Sequence, residues 1–154
     1  MKCVTAALAA IVLCCTAASA RAADALACKP GRESALADGR VTIRPGETLC
    51  VRLRAGDRQV AAEAVVTAAD AAGVLVLELS EQGGNTMLTL KNPLGGTLRY
   101  RARLASPARP EGMSTSTCPV MAHLTNFETW PGSLGAIVLS DFELLPEGGK
   151  VVCQ

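Results

Sequence analysis

The stretch Leu98-Arg99-Tyr100-Arg101-Ala102-Arg103-Leu104 alternates apolar and basic side chains without a break. In extended backbone successive side chains point to opposite faces, so one face carries Leu98, Tyr100, Ala102 and Leu104 and the other Arg99, Arg101 and Arg103. A helix would mix the two sets. The segment therefore reads as a β-strand that covers a core on one side and meets solvent on the other, the habit of antiparallel sheets.

The same period extends outward in both directions. Leu49, Val51 and Leu53 alternate with Cys50, Arg52 and Arg54 behind a turn at Arg44-Pro45-Gly46-Glu47. This places Cys50 on the outward side, where a bridge would clip the preceding arm onto the sheet. Val74 to Leu79 is a dense apolar strand, Gln82-Gly83-Gly84-Asn85 a turn, Met87 to Lys91 the returning strand, and Asn92-Pro93-Leu94-Gly95-Gly96 a tight loop. The alanines between Val60 and Ala72 suit a helix capped by Asp57 and ended by Gly73. The β-branched Val65-Val66-Thr67 favours a strand over Val60 to Thr67, followed by a turn through Asp70 to Gly73. Further on, Ser106 to Thr117 reads as a loop, Val120 to Leu124 as a short strand, and Trp130-Pro131-Gly132 as the centre of a second loop. Ala136 to Leu145 is a strand, and Lys150 to Cys153 a final strand after Gly148-Gly149. Seven to nine short strands and no convincing long helix imply an all-β antiparallel β-sandwich, with a closed barrel as the other way to bury the apolar faces.

The run Leu88-Thr89-Leu90-Lys91-Asn92-Pro93 followed by Leu98-Arg99-Tyr100 resembles bacterial exported immunoglobulin-like domains, in which a strand ends at an Asn-Pro turn and the next presents an alternating face. The resemblance covers about a fifth of the chain. It implies an immunoglobulin-like sandwich and carries no catalytic residue. Trp130 lies between Cys118 and Cys153 but within a Pro/Gly loop, which departs from the antibody pattern.

The beginning of the chain has the three parts of a secretory signal. Lys2 supplies the positive charge, Val4 to Cys15 an uncharged apolar run, and Ala18-Ser19-Ala20 a small-x-small cleavage site. The expected organisation is a signal peptide over 1–20, an N-terminal arm over 21–40 and a single β-sandwich domain over 41–154. After cleavage no transmembrane segment is expected, and the protein would be periplasmic or secreted. Of seven cysteines, Cys3, Cys14 and Cys15 would leave with the signal; Cys28, Cys50, Cys118 and Cys153 would remain. Four widely spaced cysteines in an oxidising compartment read as two disulfides, and of the three pairings Cys28–Cys50 and Cys118–Cys153 is favoured, each joining neighbours in sequence. No C-x-x-C spacing suggests zinc or a redox dithiol.

Loss of Lys2 would leave 14 basic against 14 acidic residues, so charge gives no reason to expect nucleic acid or an anionic membrane as partner. His123 is the only histidine, which excludes two-histidine metal sites and makes any Ser/His/Asp triad depend on it alone; no Gly-x-Ser-x-Gly elbow accompanies it. No cofactor, metal or catalytic residue is expected. Eleven of the 14 basic residues are arginine, and Arg52, Arg54, Arg99, Arg101 and Arg103 on outward strand faces would form a guanidinium patch if their strands were neighbours. The plainer reading is a solvated face paired with acids such as Glu78, Asp141 and Glu143. The loop holding Trp130 and Phe127 is either a plug at one end of the sandwich or an exposed anchor. These features suggest an exported, non-catalytic binding or structural accessory domain whose partner is another envelope protein or an acidic glycan. A pilus or adhesin subunit and a small hydrolase centred on His123 are the alternatives. Residues 21–40 lack the alternating apolar donor segment that a pilus subunit needs.

Overall fold

A computed structural model describes residues 28–31, 35–69 and 72–154; the expected signal peptide, most of the residues 21–34 and the Asp70 end of the expected turn lie outside them. Ten strands form two five-stranded antiparallel sheets, and no helix occurs among the described residues. The strands are β1 (Ala35–Ala37), β2 (Arg40–Ile43), β3 (Thr48–Ala55), β4 (Val60–Val66), β5 (Val74–Gln82), β6 (Asn85–Lys91), β7 (Leu98–Ser106), β8 (Arg109–Thr115), β9 (Thr125–Pro131) and β10 (Ala136–Leu144). One sheet has the order β1-β2-β10-β7-β8 and the other β4-β3-β5-β6-β9. Their inner faces share one core, built from Val41, Ile43, Leu49, Val51, Leu75, Leu77, Leu79, Leu88, Leu90, Leu98, Tyr100, Ile137 and Leu139 among others. This is the sandwich that period-2 patterning requires, because each sheet has one apolar face to hide.

Local chemistry explains most strand ends. Asn92 is fully buried at the exit of β6. Its amide nitrogen donates to the carbonyls of Gly96, Val120 and Met121 at 2.9, 3.0 and 3.1 Å, while its Oδ1 accepts from the Leu94 amide at 2.9 Å. The Asn-Pro turn thus ties three stretches of loop together. At the other turn, Glu47 is buried and its carboxylate accepts from the Arg44 amide at 2.8 Å, closing the Arg44–Glu47 reversal.

Both disulfides have the expected pairing, Cys28–Cys50 and Cys118–Cys153. Cys50 faces away from the main core, in a small second cluster with Val74 and Val76 and with Cys28 and Val66 partly buried beside it. The arm is paired here too, since Lys29 and Thr48 exchange backbone hydrogen bonds at 2.7 and 3.2 Å. The outward cysteine is therefore roofed by the arm and fully buried. The second bridge holds the segment 146–154 against Thr117, whose amide and carbonyl exchange hydrogen bonds with Gln154 at 2.7 and 2.9 Å.

Three expectations are corrected. Arg109–Thr115, expected as loop, is edge strand β8. Its Pro110 is tolerated because an edge strand does not need every N–H. Gly112 has φ +74°, and a Cβ there would stand 3.1 Å from the Cβ of Arg103 and 3.3 Å from the Leu104 carbonyl, at the irregularity between Leu104 and Ser106. Second, the strand expected over Val120–Leu124 is displaced along the chain to Thr125–Pro131, absorbing the supposed Trp130 loop. Met121 to Leu124 is instead a turn in which His123 has φ 59° and the Leu124 amide donates to the Met121 carbonyl at 3.1 Å. Third, Lys150–Cys153 belongs to no strand.

Candidate functional site: a concave polar face

The arginine row of β7 lies on the outer face of its sheet, where a concave trough of about 920 Å³ is lined by β2, β10, β7 and β8. The register aligns its side chains in rows. Thr42, Val138, Arg103 and Ser114 form one row across four strands, and Ser140 lies opposite Arg101 in the next. Continuing the β2–β10 pairing past Leu139 and Val41 places Arg40 on the other side of Ser140. Arg40 and Arg101 therefore stand two strands apart, about 10 Å at the usual inter-strand spacing.

A bulge in β10 shapes the middle of the trough. Ser140 pairs with Arg101 and Glu143 with Arg99, so β10 spends one more residue than β7 between them. The extra residue is Asp141, held at φ 52°, and the insertion returns Phe142 to the core. Ser140 and Asp141 consequently both face outward, and the Ser140 hydroxyl donates to Asp141 Oδ2 at 2.9 Å. Asp38, in the β1–β2 turn, is a second aspartate in the left-handed region, at φ 51°. Asp38, Arg40, Ser140 and Asp141 also line a smaller cavity of about 340 Å³ that continues toward Gln59 and Val60.

The three arginines of β7 do different work. Arg99 Nε donates to Glu143 Oε1 at 2.6 Å, and both side chains are half-buried. Arg103 is a clamp on the β8 bulge: Nε donates to the Glu111 carbonyl at 3.0 Å, Nη2 to the Gly112 carbonyl at 2.8 Å and Nη1 to the Ser114 hydroxyl at 3.4 Å. Arg101 is 78 % exposed and meets only Asp141, 68 % exposed, at 3.9 Å. A pair that exposed is screened by water and readily exchanged. The Arg40 side chain forms no hydrogen bond or ion pair among the described residues. Arg40 and Arg101 are thus the guanidiniums left open to a ligand.

The other sequence candidates lie elsewhere. Arg52 and Arg54 are on β3, on the outer face of the opposite sheet, with Arg54 paired to Glu63 of β4. The five arginines do not form one patch, because each strand turns its apolar face to the shared core and its basic face away from it. Trp130 is only 8 % exposed, and its Nε1 donates to Thr115 Oγ1 at 2.9 Å. Since Trp130 belongs to β9 and Thr115 to β8, this bond joins the edges of the two sheets and makes Trp130 a wall of the sandwich. Phe127, on the opposite side of β9, is exposed. His123 is exposed in its turn and makes no side-chain hydrogen bond to a hydroxyl or carboxylate among the described residues.

Beneath the trough lies a polar seam that sequence reading missed. Tyr100 is buried against Phe142, with ring centroids 6.4 Å apart. Burial raises its ionisation well above the ordinary phenol range, the Glu128 carboxylate adds to this, and the nearby Asn126 amide works the other way. That amide nitrogen is directed at Glu128 Oε1, 3.1 Å away, and the Cys118 carbonyl at 3.4 Å, which leaves the Tyr100 hydroxyl without a hydrogen-bond partner. Glu128 Oε1 also accepts from the Cys118 amide at 2.8 Å. The seam escaped the sequence because residues 126–130 read as a loop, whereas they form β9, which turns Asn126 and Glu128 inward.

The chain has no significant match to any protein-family model, to any curated protein or to any solved structure.

Proposed function

We propose that this protein is an exported, non-catalytic binding or structural accessory domain of immunoglobulin-like type, stabilised by its two disulfides, and that the concave face of the β1-β2-β10-β7-β8 sheet is its contact surface. The carrying observation is the pair Arg40 and Arg101 flanking Ser140 within a trough of about 920 Å³. Two open guanidiniums at that spacing suit a ligand bearing more than one carboxylate, an acidic glycan or an acidic face of another envelope protein. The lining also contains Asp38, Glu111, Asp141 and Glu143, so net charge does not drive binding; the ligand must displace the loose Arg101–Asp141 pair.

Export is supported by the signal-like sequence and by the bridged cysteines. Absence of catalysis is inferred from His123, isolated in an exposed turn, and from four cysteines held as disulfides. A pilus-type subunit would open its core to a donor strand, whereas Leu49, Leu75, Leu77, Leu79, Leu88 and Ile137 are fully covered.

Calorimetry with oligogalacturonate as the acidic glycan, together with a photo-crosslinker at Ser140 in cells, tests the contact surface. The double substitution Arg40→Glu and Arg101→Glu should weaken binding about tenfold or more, and Arg54→Glu on the opposite face should leave it unchanged. Equal crosslinking from Ser140 and from Glu63, with no glycan binding, would refute the assignment. Intact-mass measurement of the accumulated protein checks export: an N-terminus retained at Met1, or free thiols at Cys28 or Cys153, would remove its basis.

A further inference from the structure

The two disulfides differ in how readily a reagent reaches them. Cys50 is fully buried, clustered with Val74 and Val76, and Cys28 is half-buried beside it. Cys153 is exposed, as are Lys150, Val151, Val152 and Gln154 around it, and its partner Cys118 is half-buried. The Cys118–Cys153 bridge is also a tether. Among the described residues, the only backbone hydrogen bonds joining residues 146–154 to the rest of the domain are the reciprocal pair between Thr117 and Gln154. Thr117 in turn holds β7, its hydroxyl donating to the Tyr100 carbonyl at 2.9 Å, and both Thr117 and Gln154 line the concave trough.

We propose that Cys118–Cys153 is a thiol-exchange site, opened selectively by a protein dithiol, and that its opening frees residues 146–154 from Thr117 and takes Gln154 out of the trough wall. Access and leaving group select this bridge over the other. Exchange begins when a thiolate attacks a disulfide sulfur, and the exposed Cys153 offers that sulfur. The attack joins Cys153 to the reductant, breaks the bridge and expels Cys118 as a thiolate, which takes a proton from water. The reductant's second thiol, deprotonated, then attacks its own sulfur in the mixed disulfide. Cys153 leaves as a thiolate and takes up the proton that this thiol gave away. Two electrons have passed from the dithiol to the bridge, and the reductant departs as a disulfide. Attack on Cys28 would instead expel Cys50 into an apolar cluster, where a thiolate is disfavoured. Cys118 departs half in solvent, beside the polar side chains of Asn126 and Glu128. The resting protein is oxidised, and the exchange site does not depend on the trough's being a contact surface.

Purified oxidised protein is treated with a thioredoxin-type dithiol protein, either intact or with its second active-site cysteine replaced by serine, then acid-quenched, alkylated and peptide-mapped. With the intact reductant, Cys118 and Cys153 should be labelled about tenfold faster than Cys28 and Cys50. The serine-bearing reductant cannot complete the second step and should stay attached at Cys153. In hydrogen exchange the opened protein should lose protection at the Thr117 amide about tenfold or more, while β3 and β5 stay protected. Equal labelling of the two bridges, or faster labelling of Cys28 and Cys50, overturns the proposal. So does an adduct on another cysteine, the absence of any adduct, or unchanged protection at Thr117. Loss of protection in β3 and β5 together with Thr117 also overturns it, since the bridge would then open only by unfolding.

Discussion

Asn92 shows how much one polar side chain can hold. It satisfies three carbonyls and one amide in three stretches of loop, from a fully buried position. Asn92→Ala would take their partner from the Gly96 carbonyl and the Leu94 amide, while the Val120 and Met121 carbonyls keep the backbone donors Leu98 and Leu124, and each buried unpaired group costs about 1–3 kcal/mol. The expected loss is about 3 kcal/mol or more, read as a lower urea midpoint with an unchanged slope. Tyr100 is the opposite case, a buried hydroxyl with no partner. Tyr100→Phe should be neutral or slightly stabilising near neutral pH. Its ionisation is raised in the folded state, so the folded form keeps a proton that the unfolded form releases above about pH 10. The contribution is intact below that pH and is lost as pH rises further. Urea midpoints across the alkaline range should fall in the wild type and fall less in Tyr100→Phe.

At the scale of elements, the edge strands depart furthest from the simple pattern. β8 carries a proline and a glycine and was hidden by them; its place beside β7 is secured by Arg103 reaching two of its carbonyls. Gly112→Ala would force a Cβ toward Arg103 at left-handed φ, with an expected cost of about 1–3 kcal/mol and a loosened β8 in hydrogen exchange. Trp130→Phe would delete the bond between β9 and β8 and should cost about 1 kcal/mol by urea denaturation, beyond any packing change. The central strands β3, β5, β6 and β7 were legible because both their neighbours and their burial are regular. The edges were not, because an edge strand meets a partner on one side only and can turn polar residues such as Asn126 and Glu128 toward a seam.

For the whole molecule, the bridges lie outside the main core and restrain segments beside it. Replacing Cys28 and Cys50 together with serine should cost about 2–4 kcal/mol while leaving the sandwich folded, because the bridged pair sits in the small cluster behind β3. Thermal melting of the oxidised double variant reads this; an unfolded protein would show the bridge to be part of the core. Charge reversal at Arg40 and Arg101, by contrast, should change ligand binding and leave the melting temperature within about a degree or two, since exposed pairs contribute little.

By itself the sequence determined the central strands, the inward and outward side of each, and the turns at Arg44–Glu47 and Asn92–Gly96, since these follow from local period and turn chemistry; it favoured one of three cysteine pairings, and the folded structure decided it. Tertiary structure alone decided which arginines are neighbours. Strand order is fixed by how two sheets close over a common core, and no single-strand pattern encodes it. That closure separated Arg52 and Arg54 from Arg99, Arg101 and Arg103, brought Arg40 to the other side of Ser140, and used one bridge to hold the segment 146–154 beside Thr117.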